Sequence, residues 1–250
     1  MLLTVIVLVG QNDVEVKAGR AVESVSFVDE VLVVKEEFPI YDFSQVRNKA
    51  LDQAKGEWVL FVDSDEEVTA ELRNEILYRF RIKSGMTGYK LRRQDRFLGK
   101  WLRYGETANV RLLRLAKKNA GRWVRPVHEV WKVEGNIGEL KNPLLHYSHD
   151  SIEEMAEKLD RYSEMEAKYK LKMVKMAGMA KWLIIFQLIL FPVGKFVQNY
   201  FVRLGFLDGM EGFIHAGMMS GHSFLVRAKI LSRMDANNFK RMNANMRMIK

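Results

Sequence analysis

Asp63-Ser64-Asp65-Glu66-Glu67 follows directly on the apolar run Trp58-Val59-Leu60-Phe61-Val62 in this 250-residue chain. Two Asp separated by one residue present hard oxygen ligands to Mg²⁺ or Mn²⁺, ions that complete their shells with water and substrate phosphate oxygens. Five consecutive apolar residues need a sheet covered on both faces, so the acids mark the point where a buried strand leaves the interior. Open α/β sheets bind ligands at such carboxyl-terminal edges. The pattern predicts a metal-assisted site for a phosphorylated substrate. An acidic cluster also solubilises a loop or favours a helix N-terminus, and this stretch alone does not separate the readings.

The flanking elements must position those acids. Asp42-Phe43-Ser44-Gln45 has capping-box spacing and opens a helix over 43–55, with Gly56 expected as its C′ residue. Upstream, strands are expected at Leu3–Val9 and Val31–Val34 with a helix over 15–26 between them, and downstream a helix runs from Thr69 to Lys83. Alternating strands and helices predict a parallel sheet. Shorter strand-like runs follow at 88–93, 97–102 with Gly99 as a turn, 109–115 and 130–133, and from Ser151 onward the chain reads as helix.

The run Asp42-Phe43-Ser44-Gln45-Val46-Arg47-Asn48-Lys49-Ala50-Leu51, followed by Gly56-Glu57-Trp58-Val59-Leu60-Phe61-Val62-Asp63-Ser64-Asp65-Glu66, resembles the family 2 glycosyltransferases, closest to the branch of bacterial lipopolysaccharide-core glucosyltransferases. The likeness continues at Arg125-Pro126-Val127-His128-Glu129, at Pro143-Leu144-Leu145-His146-Tyr147, and at Gly205-Phe206-Leu207-Asp208-Gly209 with Gly212-Phe213. It implies a GT-A type fold over residues 1–150, with a mostly parallel central sheet flanked by helices, and a helical, membrane-associating extension over 151–250. It further implies an inverting, metal-dependent hexosyl transfer from a nucleotide-diphosphate sugar, a UDP-sugar first, to a glycolipid or cell-envelope glycan acceptor.

Such a transfer must neutralise the leaving diphosphate and take a proton from the attacking hydroxyl. By resemblance, Asp65 ligates Mn²⁺ or Mg²⁺ directly, and Asp63 contacts the ribose or the metal through water. Glu129 is the first choice of base and Asp95 the second. His128 orients Glu129 or touches phosphate, and is equally readable as structural. Arg47 can pair with diphosphate bidentately, or form a surface ion pair. Arg111 and Arg114 are weaker choices, because alternating Arg on a strand also describes its exposed face. His146 can reach the metal, but packing beside Tyr147 fits it better. Family members carry an Asp-Ser-x-Ser-type segment after the second strand. Here Lys35-Glu36-Glu37-Phe38-Pro39 stands in its place, and Asn12 with Asp13 matches the base-side landmark only loosely.

Zero Cys excludes disulfides, thiolate nucleophiles and Cys-based zinc sites, and suits a reducing cytoplasm. The first ten residues lack the basic n-region of a signal peptide and read as a strand, so no export is expected. Net charge is +9, unevenly spread: Lys168 to Arg203 holds seven Lys/Arg and no acid. Among these charges lies Trp182-Leu183-Ile184-Ile185-Phe186-Gln187-Leu188-Ile189-Leu190-Phe191-Pro192-Val193, which with Pro192 and Lys195 as interruptions falls short of the roughly 20 residues that span a bilayer. It reads as an interfacial or re-entrant helix pair, peripheral on the inner face of the cell membrane. Burial against the α/β core is the competing reading.

Three other functions compete. A haloacid-dehalogenase-like phosphatase has Asp-x-Asp on its first strand followed by Gly-Thr, whereas here Glu66-Glu67 follows and three strands come first. A nucleic-acid binder fits the basic pI of 9.6. However, its charges would lie among exposed stacking aromatics rather than beside a Trp/Phe/Ile/Leu stripe, so nucleic acid is not expected as a partner. A catalytically inactive, membrane-associated scaffold of the same fold remains the alternative.

Overall fold

The computed structural model describes residues 2–10, 15–35, 42–125, 129–178 and 180–248. The chain forms two compact units, residues 1–102 with 107–148, and residues 103–106 with 149–250.

The first unit is built on β1 (Leu3–Val9), α1 (Glu15–Ser24), β2 (Glu30–Lys35), α2 (Phe43–Gln53) and β3 (Trp58–Asp63). Strand β1 pairs in parallel with β2 on one side and β3 on the other. Every residue of β1 is buried, because both sheet faces are covered. Leu3, Val5, Val7, Leu60 and Val62 pack on one face with Ala21, Leu72 and Ile76. Ile6, Leu8, Val59 and Phe61 pack on the other with Ala50, Leu51, Trp123 and Trp131. The strand order reverses at β1 and β3, and a crevice at such a switch point is where open α/β sheets bind ligands.

Asp42 caps α2, accepting from the backbone N–H of Ser44 at 2.9 Å and of Gln45 at 3.3 Å. Gly56 has a different role from the one expected. The helix ends at Gln53, and Gly56 is needed because a Cβ there would lie 2.6 Å from the Thr4 backbone nitrogen.

Beyond β3 the sheet departs from the expected mostly parallel arrangement. The later strands are β4 (Glu66–Val68), β5 (Gly88–Phe97), β6 (Lys100–Trp101), β7 (Arg111–Lys117) and β10 (Ile137–His149), with α3 (Ala70–Arg81) after β4. The order is β2-β1-β3-β7-β5-β10-β4, with β6 on β5. The β3–β7, β5–β7, β5–β6 and β4–β10 pairs are antiparallel, so the sheet is mixed. Only β5 and β6 join through a hairpin-length turn, Leu98-Gly99, whereas the β3–β7 and β4–β10 pairs bring together strands far apart in the chain. Only Ser64 and Asp65 separate β3 from β4, yet β4 lies at the opposite end of the strand order. The sheet therefore curls until its far edge returns to the end of β3. A separate hairpin, β8 (Gly121–Val124) with β9 (Val130–Val133), covers Phe61 with Trp123 and Trp131.

The second unit holds α4 (Ile152–Met176), α5 (Lys181–Val197) and α6 (Gly209–Met248). Ala167, Leu171 and Val174 of α4 share a core with Ile184 of α5 and with Val226 and Ile230 of α6. The expected interruption at Pro192 does not occur. Helix α5 runs through it and continues as a π-turn over Gln198–Val202, giving a 22-residue stretch long and apolar enough, by length and composition, to cross a membrane. Segment 103–106 is clamped in this unit. The Asp208 carboxylate accepts from the Tyr104 N–H at 2.8 Å and the Arg103 N–H at 3.0 Å. The Gly105 N–H donates to Arg203 O at 2.9 Å, and Glu106 binds Lys195 at 2.6 Å and Asn199 at 2.9 Å.

Candidate functional site

Curling of the sheet gathers charged side chains from six elements at the end of β3. Asp63 accepts from two guanidinium groups, Arg47 Nη2 of α2 at 3.0 Å and Arg114 Nη2 of β7 at 2.7 Å. Arg47 Nε also donates to Glu129 Oε1 at 2.9 Å. Its guanidinium lies 4.7 Å from the Trp123 ring, which Asn48 fixes by exchanging hydrogen bonds with the Trp123 backbone. The Arg47-Asn48 pair thus orients a cation and ties down the hairpin beneath it.

Glu66 is buried and accepts from the Asp63 N–H at 2.9 Å, with Arg114 Nη2 at 3.8 Å. Cross-strand from Glu66, His146 lies between two carboxylates, its Nε2 3.3 Å from Asp65 and its Nδ1 3.0 Å from Asp95. Arg93 holds Asp95 from the same strand, Nε to Oδ1 at 2.9 Å.

These contacts set the proton affinities. Burial pushes the Asp63 carboxyl up, but Arg114 and then Arg47 outweigh it and bring it down to about 2. Burial raises Glu66 and Arg114 only partly offsets it. Burial opposes charge on His146, yet Asp65 and the hydrogen bonds to Asp65 and Asp95 push the ring up to about 9, so it is an imidazolium at neutral pH. Asp95 is held below the usual carboxylate range by its hydrogen bond to His146 and by Arg93, against burial.

Several expected roles change with this geometry. Asp95 is only 3% exposed and gripped by two cations, so it positions His146 rather than taking a proton from a substrate. Both Asp63 oxygens are engaged by guanidinium groups, whereas Asp65 faces His146 Nε2 at 3.3 Å. Among the described residues no three His, Asp or Glu side chains form a metal-holding group. The donors fit a hard cation that takes one protein carboxylate and fills its shell from phosphate and water. Arg111 lies outside the cluster, paired with Glu139 at 3.4 Å. Asn12 and His128 lie outside the described residues.

Arg114 and His146 were undervalued from sequence. Arg114 is 6% exposed, and its partner Asp63 lies 51 residues away. Nη1 of Arg47 and Nη1 of Arg114 are buried without a hydrogen-bond partner among the described residues. A buried unsatisfied donor calls for an explanation, and two on neighbouring guanidinium groups ask for an anion.

No family model matches the chain. Proteins named as uncharacterized glycosyltransferases do resemble it. The Rickettsia typhi protein is 25% identical over 256 residues, covering 86% of this chain and 82% of its own length. The Rickettsia prowazekii protein is 26% identical over 254 residues, with the same two coverages. Over most of its length, the chain is similar to proteins named as glycosyltransferases. Among solved structures, Staphylococcus aureus TarS 1–349 in complex with UDP overlaps 94% of this chain and 92% of its own, at 14% identity and a TM-score of 0.39. The complex with UDP-GlcNAc gives the same identity and score. At those scores the overlaps establish nothing about this chain's ligands.

Proposed function

We propose that this protein is a nucleotide-sugar glycosyltransferase of the family 2 type, moving a hexose from a UDP-sugar to a glycolipid or envelope-glycan acceptor at the inner face of the cell membrane, with inversion. The observation that carries the reading is the pair of buried guanidinium groups, Arg47 and Arg114, set at the strand-order switch, each with one nitrogen that has no hydrogen-bond partner among the described residues. They offer a diphosphate fixed, desolvated positive charge, and electrostatic stabilisation of a leaving group is strongest in such a setting. Glycosyltransferase relatives covering 86% of the chain support the same class.

In this reading Asp65 holds Mn²⁺ or Mg²⁺. A divalent cation bound there adds charge neutralisation for the departing diphosphate. Asp63 keeps Arg47 and Arg114 apart and aimed, His146 fixes Asp65, and Glu129 takes the acceptor proton. Glu129 suits that part because its side chain stays 18% exposed while Arg47 Nε holds its orientation.

Thermal shift with UDP, GDP and UDP-sugars, each with and without Mn²⁺ and Mg²⁺, tests the reading. UDP is expected to raise Tm by mass action, and more so with metal. Arg47→Lys keeps the charge but loses the fork, and should weaken UDP binding about tenfold. Glu129→Gln should keep UDP affinity and lose at least about 100-fold in rate. Absence of any nucleotide-diphosphate binding overturns the reading. UDP binding with neither hydrolysis nor transfer of a UDP-sugar points instead to an inactive scaffold.

A further inference from the structure

Helix α5 is covered on one side only. Ile184 is 1% exposed and packs with Val226 and Ile230, Ser220 Oγ donates to Pro192 O at 2.7 Å, and Arg227 lies 4.1 Å from the Phe191 ring. At 100° per residue, Trp182, Ile185, Phe186, Ile189, Val193 and Val197 fall on the side away from Ile184. They are between 43% and 66% exposed. Contiguous apolar surface of this kind marks an interaction site.

The occupant follows from charge and from the neighbouring helices. Lys168 to Arg203, which contains the whole apolar stretch, carries seven Lys/Arg and no acid, and of these Lys168, Lys170 and Lys195 are ion-paired with Glu164, Glu166 and Glu106. A basic flank around an apolar stripe is complementary to an anionic lipid surface, and each Lys/Arg near such a surface adds about 1 kcal/mol. By length and composition, residues 181–202 also suffice to span a bilayer. The bundle argues for the in-plane arrangement. Helices α5 and α4 share one core with α6, and α4 carries Asp160, Glu164, Glu166, Lys168 and Lys170 in ion pairs along its length. Spanning by α5 would take those charges into hydrocarbon, where each is costly. Lys195, paired with Glu106, would follow.

We propose that α5 is an in-plane membrane anchor, its Trp182–Ile189–Val197 face inserted at the headgroup boundary of an anionic bilayer. The inference does not depend on sugar transfer. Insertion of such a face reaches about 5–10 Å, so lipid contact should be shallow.

Flotation of the full-length protein with vesicles tests it. The protein should float with phosphatidylcholine vesicles containing phosphatidylglycerol, several-fold less with phosphatidylcholine alone, and high salt should weaken the attachment without abolishing it. Phe186→Glu and Ile189→Glu, both at exposed positions, should each lower the bound fraction about tenfold while circular dichroism stays unchanged. A second measurement needs no destabilising change. Lipids brominated near the headgroup should quench tryptophan fluorescence more than lipids brominated near the chain ends, and Trp182→Phe should remove the quenching while binding persists. Failure of the folded protein to float, or undiminished binding by both Glu variants, overturns the anchor. So does a stable dimer in solution that Phe186→Glu dissociates, because the face then belongs to a second copy. Stronger quenching by deep bromines overturns the in-plane arrangement. UDP binding measured on the same samples keeps these outcomes separate from the glycosyltransferase reading.

Discussion

Arg114 draws the site together, since its guanidinium faces Asp63 at 2.7 Å and Glu66 at 3.8 Å while being almost wholly buried. Arg114→Met would leave buried Glu66 without that cation and Asp63 with Arg47 alone, and removing one partner of a buried pair costs about 3–5 kcal/mol. Urea unfolding should read this as a lower midpoint with unchanged m-value. A pH series isolates Asp63. Its carboxyl titrates at about 2 when folded, against 3.8 in the reference state. A lowered folded value means stability present above pH 3.8 and lost as pH falls through about 2. The stability difference between the wild type and Asp63→Asn should therefore hold flat above about pH 4 and shrink below it. A difference that does not change down to pH 2 would remove the Arg–Asp63–Arg account. The acids of this site were legible because a five-residue apolar strand ends in them. Arg114 was not, because its apolar neighbours Leu113 and Leu115 do not show which groups it meets, and its partners come from β3 and β4, which no local period encodes.

At the scale of elements, β1, α1, β2, α2, β3 and α3 follow the sequence pattern closely: β1 and β3 are continuous apolar runs covered on both faces, while α2 buries Ala50 with Leu51 and α3 buries Leu72 with Ile76 at helical spacing. Strand β10 was missed for a physical reason. Asn142-Pro143 in its middle argues against a strand, but β4 pairs it only at Leu144–His146, so Pro143 lies outside that ladder. The Gly205 to Gly212 landmark also gains an explanation. A Cβ on Gly212 would lie 2.0 Å from Gly205 O, and one on Gly205 2.6 Å from Asn199 O. These glycines let the turn fold tightly enough for Asp208 to meet the N–H groups of Arg103 and Tyr104. Asp208→Ala should remove the acceptor from both donors, and a hydrogen bond to a charged group contributes about 1.5–3 kcal/mol. Limited trypsin digestion should then cut sooner at Arg103. Equal cleavage rates in the variant and the wild type would show that Asp208 does not hold the segment.

For the whole molecule, the division into two units makes a sharper demand than a boundary drawn along the sequence. Arg47, Asp63, Asp65, Glu66, Arg114, Glu129 and His146 all belong to the first unit, whereas Lys195, Asn199, Arg203 and Asp208, the partners of segment 103–106, belong to the second. Truncation after Gly178 removes every one of those partners and the apolar face of α5, but no residue of the charged cluster. The shortened chain should still bind UDP within about threefold of the full-length affinity, because the fixed guanidinium groups that attract diphosphate remain in place. It should no longer float with anionic vesicles, and its 103–106 segment should exchange amide hydrogens at close to unfolded rates, since the N–H groups of residues 103–105 lose their acceptors. Loss of UDP binding in a truncated chain that keeps its sheet circular dichroism would mean that the second unit supplies part of the nucleotide site, and the assignment of that site to the curled sheet alone would fall.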